Sequence, residues 1–342
     1  MEQEIMTRER TALVLGATGG IGGEVARQLR DAGWTVRALR RGQAQDTVSE
    51  DGIAWLKGDA LNAGDVARAA KGCGVIVHAV NPPGYQRWNA LVLPMMDSTV
   101  AAAIAERATI VLPGTVYNFG PETFPLVAED APQRPRTRKG AIRVELERRV
   151  EAATRQGARA IILRAGDFFG PRSGNNWFAQ LVQPGRPVRT VRVPGQAGVG
   201  HQWAYLPDVA RTMVALLERR DTLEPFARFH FGGHWDADGR GMAGAIRAAV
   251  QRRTGTAPTV RPFPWWLVWL AAPFVTTLRE LLEMRYLWRE ALQMDNRKLR
   301  RLLGSEPHTP LEQAVEATLA GLGCLAAGNA PSPTPAPQRM SR

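Results

Sequence analysis

Three glycines, spaced Gly16-x-x-Gly19-x-x-Gly22, stand between an apolar run at 11–15 and a segment in which Ile21, Val25 and Leu29 recur at helical spacing. That context gives the glycines a chemistry. A chain that leaves a buried strand and at once opens a helix must bend sharply, and a residue without Cβ accommodates the bend. The backbone can then approach a phosphate closely, and the free N–H groups and positive end of the helix stabilise its charge. Gly16, Thr18, Gly19, Gly20, Ile21 and Gly22 are therefore assigned to the pyrophosphate of a dinucleotide. A plain glycine-rich turn is the alternative, and the strand-turn-helix context argues against it.

The end of the second apolar run decides which dinucleotide. An acidic residue there binds the adenine-ribose hydroxyls of NAD, whereas arginine accommodates the 2′-phosphate of NADP. The sequence reads Val36-Arg37-Ala38-Leu39-Arg40-Arg41, with no acid. Arg40 or Arg41, assisted by Arg37, favours NADP, with NAD as the alternative; all three as ordinary surface residues is the bland reading.

Elements that position this loop alternate along the first half. Strand-like runs lie at 11–16, 34–39, 53–56, 75–79, 109–112 and 160–163, and helical patterns at 20–32, 62–70, 88–107 and 138–156. This rhythm predicts parallel βαβ units in an α/β doubly wound sheet, the Rossmann fold. After Phe168 the alternation gives way to Gly, Pro and Trp with scattered helices. The expected organisation is a NAD(P)-binding domain at 8–167, a smaller, mainly helical substrate-binding region at 168–325 interleaved with the sheet, and a disordered Pro/Ser/Ala-rich tail at 326–342.

Further stretches carry a resemblance: Gly58-Asp59-Ala60, His78-Ala79-Val80-Asn81, Val116-Tyr117-Asn118-Phe119-Gly120, Arg164 to Pro171 and Tyr205-Leu206-Pro207-Asp208-Val209-Ala210. In this order they resemble the extended branch of the short-chain dehydrogenase/reductase superfamily, the NAD-dependent epimerase/dehydratase family, with some features of its atypical NmrA-like members. The likeness covers roughly residues 11–325. It implies that Asp59 and Ala60 contact adenine, that Ala79, Val80 and Asn81 pass the phosphates and ribose, and that Asp167 and Phe168 pass the nicotinamide. It also implies a small-molecule substrate with a carbonyl or hydroxyl group, sugar-derived molecules among them, and a homodimer paired through the helices at 88–107 and 138–156.

The catalytic motif departs from that family. Its members carry a Tyr four residues before a Lys on one helix, with a Ser or Thr after the fifth strand. None of Tyr85, Tyr117, Tyr205 and Tyr286 is followed by Lys four positions on. The glutamate that trails the family Lys by four matches Glu147, which puts Lys139 at the Tyr position and Arg143 at the Lys position. Two readings stay open. In one, Lys139 replaces Tyr as acid/base, Arg143 one turn on lowers its pKa from about 10.4 and holds the ribose, and Thr115 or Tyr117 orients the substrate. In the other, redox chemistry is lost and the chain is an NADP-binding sensor or scaffold.

Composition bounds the remaining possibilities. The formal net charge is +12, yet no block of five basic residues and no aromatic-basic platform appears, which disfavours nucleic acid. Two cysteines, Cys73 and Cys324, without zinc spacing predict neither metal nor disulfide and fit the cytoplasm, as does the charged, leaderless start at 1–10. The Trp-rich stretch 263–275 is shorter than the roughly 20 residues of a membrane span. It reads as a partly buried helix or, more sharply, as a membrane-surface or partner-docking helix.

Overall fold

Every residue of Thr11–Leu15 is buried, which is the pattern of a central parallel strand covered on both faces (β1). The computed structural model describes residues 10–82, 88–174 and 176–325; the expectations for the tail at 326–342 and for Tyr85 fall outside them. After β1 come α1 (Gly20–Asp31), β2 (Thr35–Arg40), β3 (Thr47–Val48), β4 (Ala54–Lys57), α2 (Ala63–Ala70), β5 (Val75–His78) and α3 (Trp88–Glu106). Then follow β6 (Thr109–Gly114), β7 (Leu126–Val127), α4 (Arg138–Thr154), β8 (Arg159–Arg164) and β9 (Asp167–Phe169).

The second half continues with α5 (Trp177–Val182), β10 (Thr190–Val193), β11 (His201–Tyr205), α6 (Leu206–Leu217), β12 (Phe226–His230), β13 (His234–Asp236), α7 (Gly241–Thr254) and β14 (Thr259–Pro262). It ends with α8 (Trp265–Ala271), α9 (Thr276–Glu283), β15 (Gln293–Met294), α10 (Arg297–Leu303) and α11 (Leu311–Gly321).

The main sheet has the order β12-β8-β6-β5-β1-β2-β4-β3, parallel except for β3. From β1 the chain winds outward through β2, then returns to β5 on the other side. The crevice beyond the ends of β1 and β5 is the topological switch point where such sheets bind ligands. Alternate residues of β1 feed two cores: Ala12 and Val14 pack with Val25 and Leu29 of α1, and Leu13 and Leu15 pack with Ile76, Ile110 and Val150.

The alternation expected for 11–167 is therefore present. The region after Phe168 contains more strand than its composition suggests, and one of those strands, β12, returns to the main sheet beside β8 in parallel register. A third core gathers Phe169, Phe178, Trp203 and Trp288, and a fourth, with Val116, Phe119, Met284 and Leu287, anchors the loop after β6. The Trp-rich stretch is divided: α8 ends at Ala271, Pro273 intervenes, and α9 begins at Thr276.

Candidate active site

At the switch point the Ala79 N–H donates to the Leu15 carbonyl at 2.9 Å, joining the end of β5 to the end of β1. Gly16 turns there with φ 90°, and a Cβ on it would lie 2.5 Å from the Ala79 oxygen. A Cβ on Gly22 would lie 2.3 Å from the Gly16 oxygen. Backbone closes these spaces, so only glycine fits. Gly19 caps α1 without a side-chain hydrogen bond, which leaves the first-turn N–H groups to whatever enters the groove.

That groove has a volume of about 580 Å³. Gly16, Thr18, Gly19, Gly20 and Ile21 form its floor, Arg40, Arg41, Asp59 and Ala60 one end, and Ala79, Val80, Asn81 and Phe168 the other. Gly22 stands behind the floor against Gly16. The Arg40 guanidinium lies 5.8 Å from the Trp55 ring, at the groove's edge. The glycine cradle and the open helix end fit a dinucleotide pyrophosphate.

Arg37 corrects the sequence reading. Its guanidinium donates to the carbonyls of Lys71 at 2.6 Å and Ala69 at 3.3 Å, at the C-terminus of α2. Because α2 runs antiparallel to β2, its carbonyl end lies away from the groove, and Arg37 offsets the negative end of that helix instead.

A second cavity of about 190 Å³ adjoins the groove, and Phe168 and Ser173 belong to both. Thr115 and Tyr117 line one wall, Lys139 another, and Asp167, Trp177, Gln180, Glu280 and Met284 complete it. Lys139 sits in the first turn of α4, only 4% exposed. Its Nζ lies 2.8 Å from a Glu280 carboxylate oxygen, 3.2 Å from the Glu280 carbonyl and 3.9 Å from Glu283.

The positive neighbour expected for Lys139 is thus replaced by carboxylates. Arg143, although one turn along the same helix, is directed toward the groove: its Nη2 donates to Asn81 Oδ1 at 3.1 Å, and its guanidinium lies 5.1 Å from the Trp88 ring. It lines neither cavity and meets the groove through Asn81.

Thr115 belongs to a buried polar chain. The Asn118 amide nitrogen donates to Glu147 at 3.0 Å and to Gln133 at 2.8 Å. Glu147 is acceptor-only, so Asn118 Oδ1 must be the acceptor of the Thr115 hydroxyl at 2.9 Å. Thr115 therefore presents lone pairs, not its proton, to any further partner. Glu147 also takes a two-pronged bond from fully buried Arg164, at 2.9 and 2.6 Å. Arg164 donates on to His230 Nε2 at 3.0 Å, while His230 Nδ1 donates to the Val127 carbonyl. Burial, reinforced by Arg164, pushes the His230 imidazole down to about 3.

Opposite Thr115, Asp167 accepts from His201 Nε2 at 2.8 Å, and the imidazole stacks on Trp288 with ring centroids 3.7 Å apart. Burial also raises the Tyr286 hydroxyl well above its ordinary range, and Tyr286 packs against Arg136. The sequence raises His201 as a residue that could face the cleft, with a structural histidine as the bland reading, and passes over Glu280 and Glu283. Glu280 and Glu283 lie more than a hundred residues from Lys139, and only their three-residue spacing, which puts both on one helix face, hinted at a shared role.

Comparison with known proteins agrees with this architecture. The sequence model of the NAD dependent epimerase/dehydratase family matches residues 12–232. Among solved structures, UDP-glucuronic acid 4-epimerase from Bacillus cereus, in complex with UDP-glucuronic acid and NAD, is 17% identical with a TM-score of 0.70, over 91% of this chain and 98% of that one. MoeE5 in complex with UDP-glucose and NAD is 19% identical, TM-score 0.68, over 91% and 98%. The Bordetella bronchiseptica enzyme WbmH in complex with NAD+ is 17% identical, TM-score 0.65, over 91% and 97%. At these identities the structural likeness speaks for the fold. A search of curated proteins gave no match. With the family's sequence pattern spanning most of the chain and its fold carried by a matching groove, the chain belongs to the NAD dependent epimerase/dehydratase family.

Proposed function

We propose that this chain is an NADP-linked oxidoreductase of the epimerase type that acts on a hydroxyl or carbonyl group of a small, sugar-derived substrate through a non-standard catalytic set. The observation that carries the reading is the second cavity: it opens beside the dinucleotide groove at Phe168 and gathers Thr115, Tyr117 and Lys139 around one space. Arg40 and Arg41 at the adenine end support NADP over NAD. The bound nicotinamide supplies hydride donor and acceptor capacity. The protein's own residues do the rest. Thr115, its proton committed to Asn118, accepts a hydrogen bond from a neighbouring substrate hydroxyl and so orients the substrate. Lys139 Nζ exchanges a proton with the substrate oxygen, and Glu280 fixes its position. Arg143 positions the groove wall through Asn81. The proposal includes a homodimer through α3 and α4, which rests on the family resemblance.

One observation favours the alternative, a catalytically inactive NADP-binding sensor or scaffold of NmrA-like type: Lys139 is enclosed by Glu280 and Glu283. Incubation of the purified chain with NADP+ or NAD+ and a panel of nucleotide sugars and secondary alcohols separates the two. Appearance of reduced nicotinamide, or interconversion of sugar epimers, supports the enzyme. Dinucleotide binding with neither reaction across the panel overturns it and leaves the sensor.

A further inference from the structure

The exposed large apolar side chains of the described residues concentrate in one stretch. Trp266, Trp269, Leu270 and Phe274 are 67%, 70%, 61% and 89% exposed, and Leu267 and Val275 stand beside them. Within α8 only Val268 is buried. The helix seats itself through that residue and through half-buried Trp265, whose indole donates to the Pro194 carbonyl, and it turns Trp266, Leu267, Trp269 and Leu270 outward, an arrangement that marks a docking face.

The surrounding charge identifies what docks. β10 and β14 pair in parallel just ahead of α8, with Arg192 opposite Arg261. Arg192 also lines the same recess as Phe263 and Leu267. Arg172 pairs with Glu24, and Arg252 and Arg253 pair with Glu312 and Glu316, so the basic side chains that count beside α8 are Arg192 and Arg261. A second copy of this chain is a poor occupant, because a twofold interface through this face would bring the Arg192 and Arg261 pair of one copy near that of the other with no carboxylate of the face between them. Exposed indoles beside arginines suit the boundary of a bilayer with anionic headgroups, where aromatic rings sit at headgroup depth and each basic side chain adds attraction. No helix among the described residues is long and apolar enough to cross a membrane, so α8 would lie in the plane of the surface.

We propose that α8 and the 273–275 segment after it dock this chain on an anionic lipid surface, with the Trp and Phe side chains in the headgroup boundary and Arg192 and Arg261 on the lipid phosphates. The docked face adjoins the substrate cavity: Gln180 lines both that cavity and the recess under α8. The proposal does not depend on which reaction the site performs.

The test is co-sedimentation of the full chain with vesicles of phosphatidylcholine alone and of phosphatidylcholine mixed with phosphatidylglycerol. Binding to the mixed vesicles, weakening with added salt, is expected. W269S/F274S should bind about tenfold more weakly or worse, since each exposed ring contributes through burial. R192Q/R261Q should lose the preference for phosphatidylglycerol. All these positions lie outside the dinucleotide groove, so unchanged dinucleotide binding verifies that the variants fold. Equal binding to both vesicle types, or binding to neither, overturns the proposal. So does a dimer in solution that W269S/F274S dissociates while the parent protein ignores vesicles.

Discussion

Lys139 Nζ lies 2.8 Å from a carboxylate oxygen of Glu280, and the two residues reach this contact from different helices, α4 and α9. The pair closes one side of the cavity that opens onto the dinucleotide groove. If Lys139 moves the proton, Lys139→Met lowers kcat by about a hundredfold or more, the usual scale of general acid–base catalysis, and Glu280→Gln lowers it less. Dinucleotide affinity, followed by titration, stays close to that of the parent in both variants. Undiminished turnover in Lys139→Met removes this residue from the mechanism.

Gly16 tests the cradle. With φ 90° and the Ala79 oxygen 2.5 Å from where a Cβ would stand, Gly16→Val displaces the end of β5. The strain amounts to roughly 1–3 kcal/mol. The expected result is a lower denaturation midpoint together with loss of dinucleotide binding. A variant that binds as the parent does would place the pyrophosphate elsewhere.

Arg40 and Arg41 test the choice of dinucleotide. Replacing both with alanine removes the charge available to a 2′-phosphate, and charge-assisted hydrogen bonds contribute about 1.5–3 kcal/mol each. The ratio of NADP to NAD affinity should fall by about tenfold or more, with NAD binding nearly unchanged. A ratio that does not move would return these arginines to the solvated surface.

These tests follow the division between what the sequence made legible and what it did not. The glycine loop, the strand-helix alternation and the offset of Lys139 and Arg143 from Glu147 are local patterns, set by residues close in the chain. Arg37 misled because periodicity gives the strand but not which helix end its side chain meets, and the α2 carbonyls took it. Glu280 and Glu283 escape the sequence for a different reason: their spacing hints at a shared face, but their partner is on α4, and nothing local reports a contact made across so long a span. The lone-pair role of Thr115 likewise follows only from knowing that Asn118 donates to Glu147.

Acid should destabilise the fold through its buried histidines. Burial, with Arg143 adding to it, pushes His78 down to about 3, and His230 is held at about the same value. Unfolded, each would titrate near its ordinary 6.5. Between these values the unfolded chain binds more protons, so stability rises with pH from about 3 to 6.5, is fully present above 6.5 and is lost toward 3. Each pH unit in that window changes stability by ~1.4 kcal/mol per histidine. Urea melts at pH 7 and pH 5 should show the drop, and His230→Gln should make it shallower. Equal slopes in parent and variant would mean that another group governs the acid limb.

Arg164 and Glu147 form the most enclosed ion pair near the site, with their side chains 0% and 5% exposed. Leaving a buried charge without its partner costs about 3–5 kcal/mol. Glu147→Gln should lower the unfolding free energy on that scale and loosen the loop that carries Thr115. Calorimetry checks the first effect, and the KM for substrate checks the second. A variant as stable as the parent would show that the Glu129 carbonyl and His230 alone hold Arg164.

β12 comes well after Phe168, beyond β9, β10 and β11, yet it completes the main sheet beside β8. A fragment ending near residue 167 would bare the β8 edge, a row of N–H and C=O groups ready to template aggregation. The nucleotide half is thus not a detachable module. The chain must pass through much of the region after Phe168 before its sheet is sealed, and any domain-swap or truncation scheme for this protein has to carry residues 226–230 with the first half.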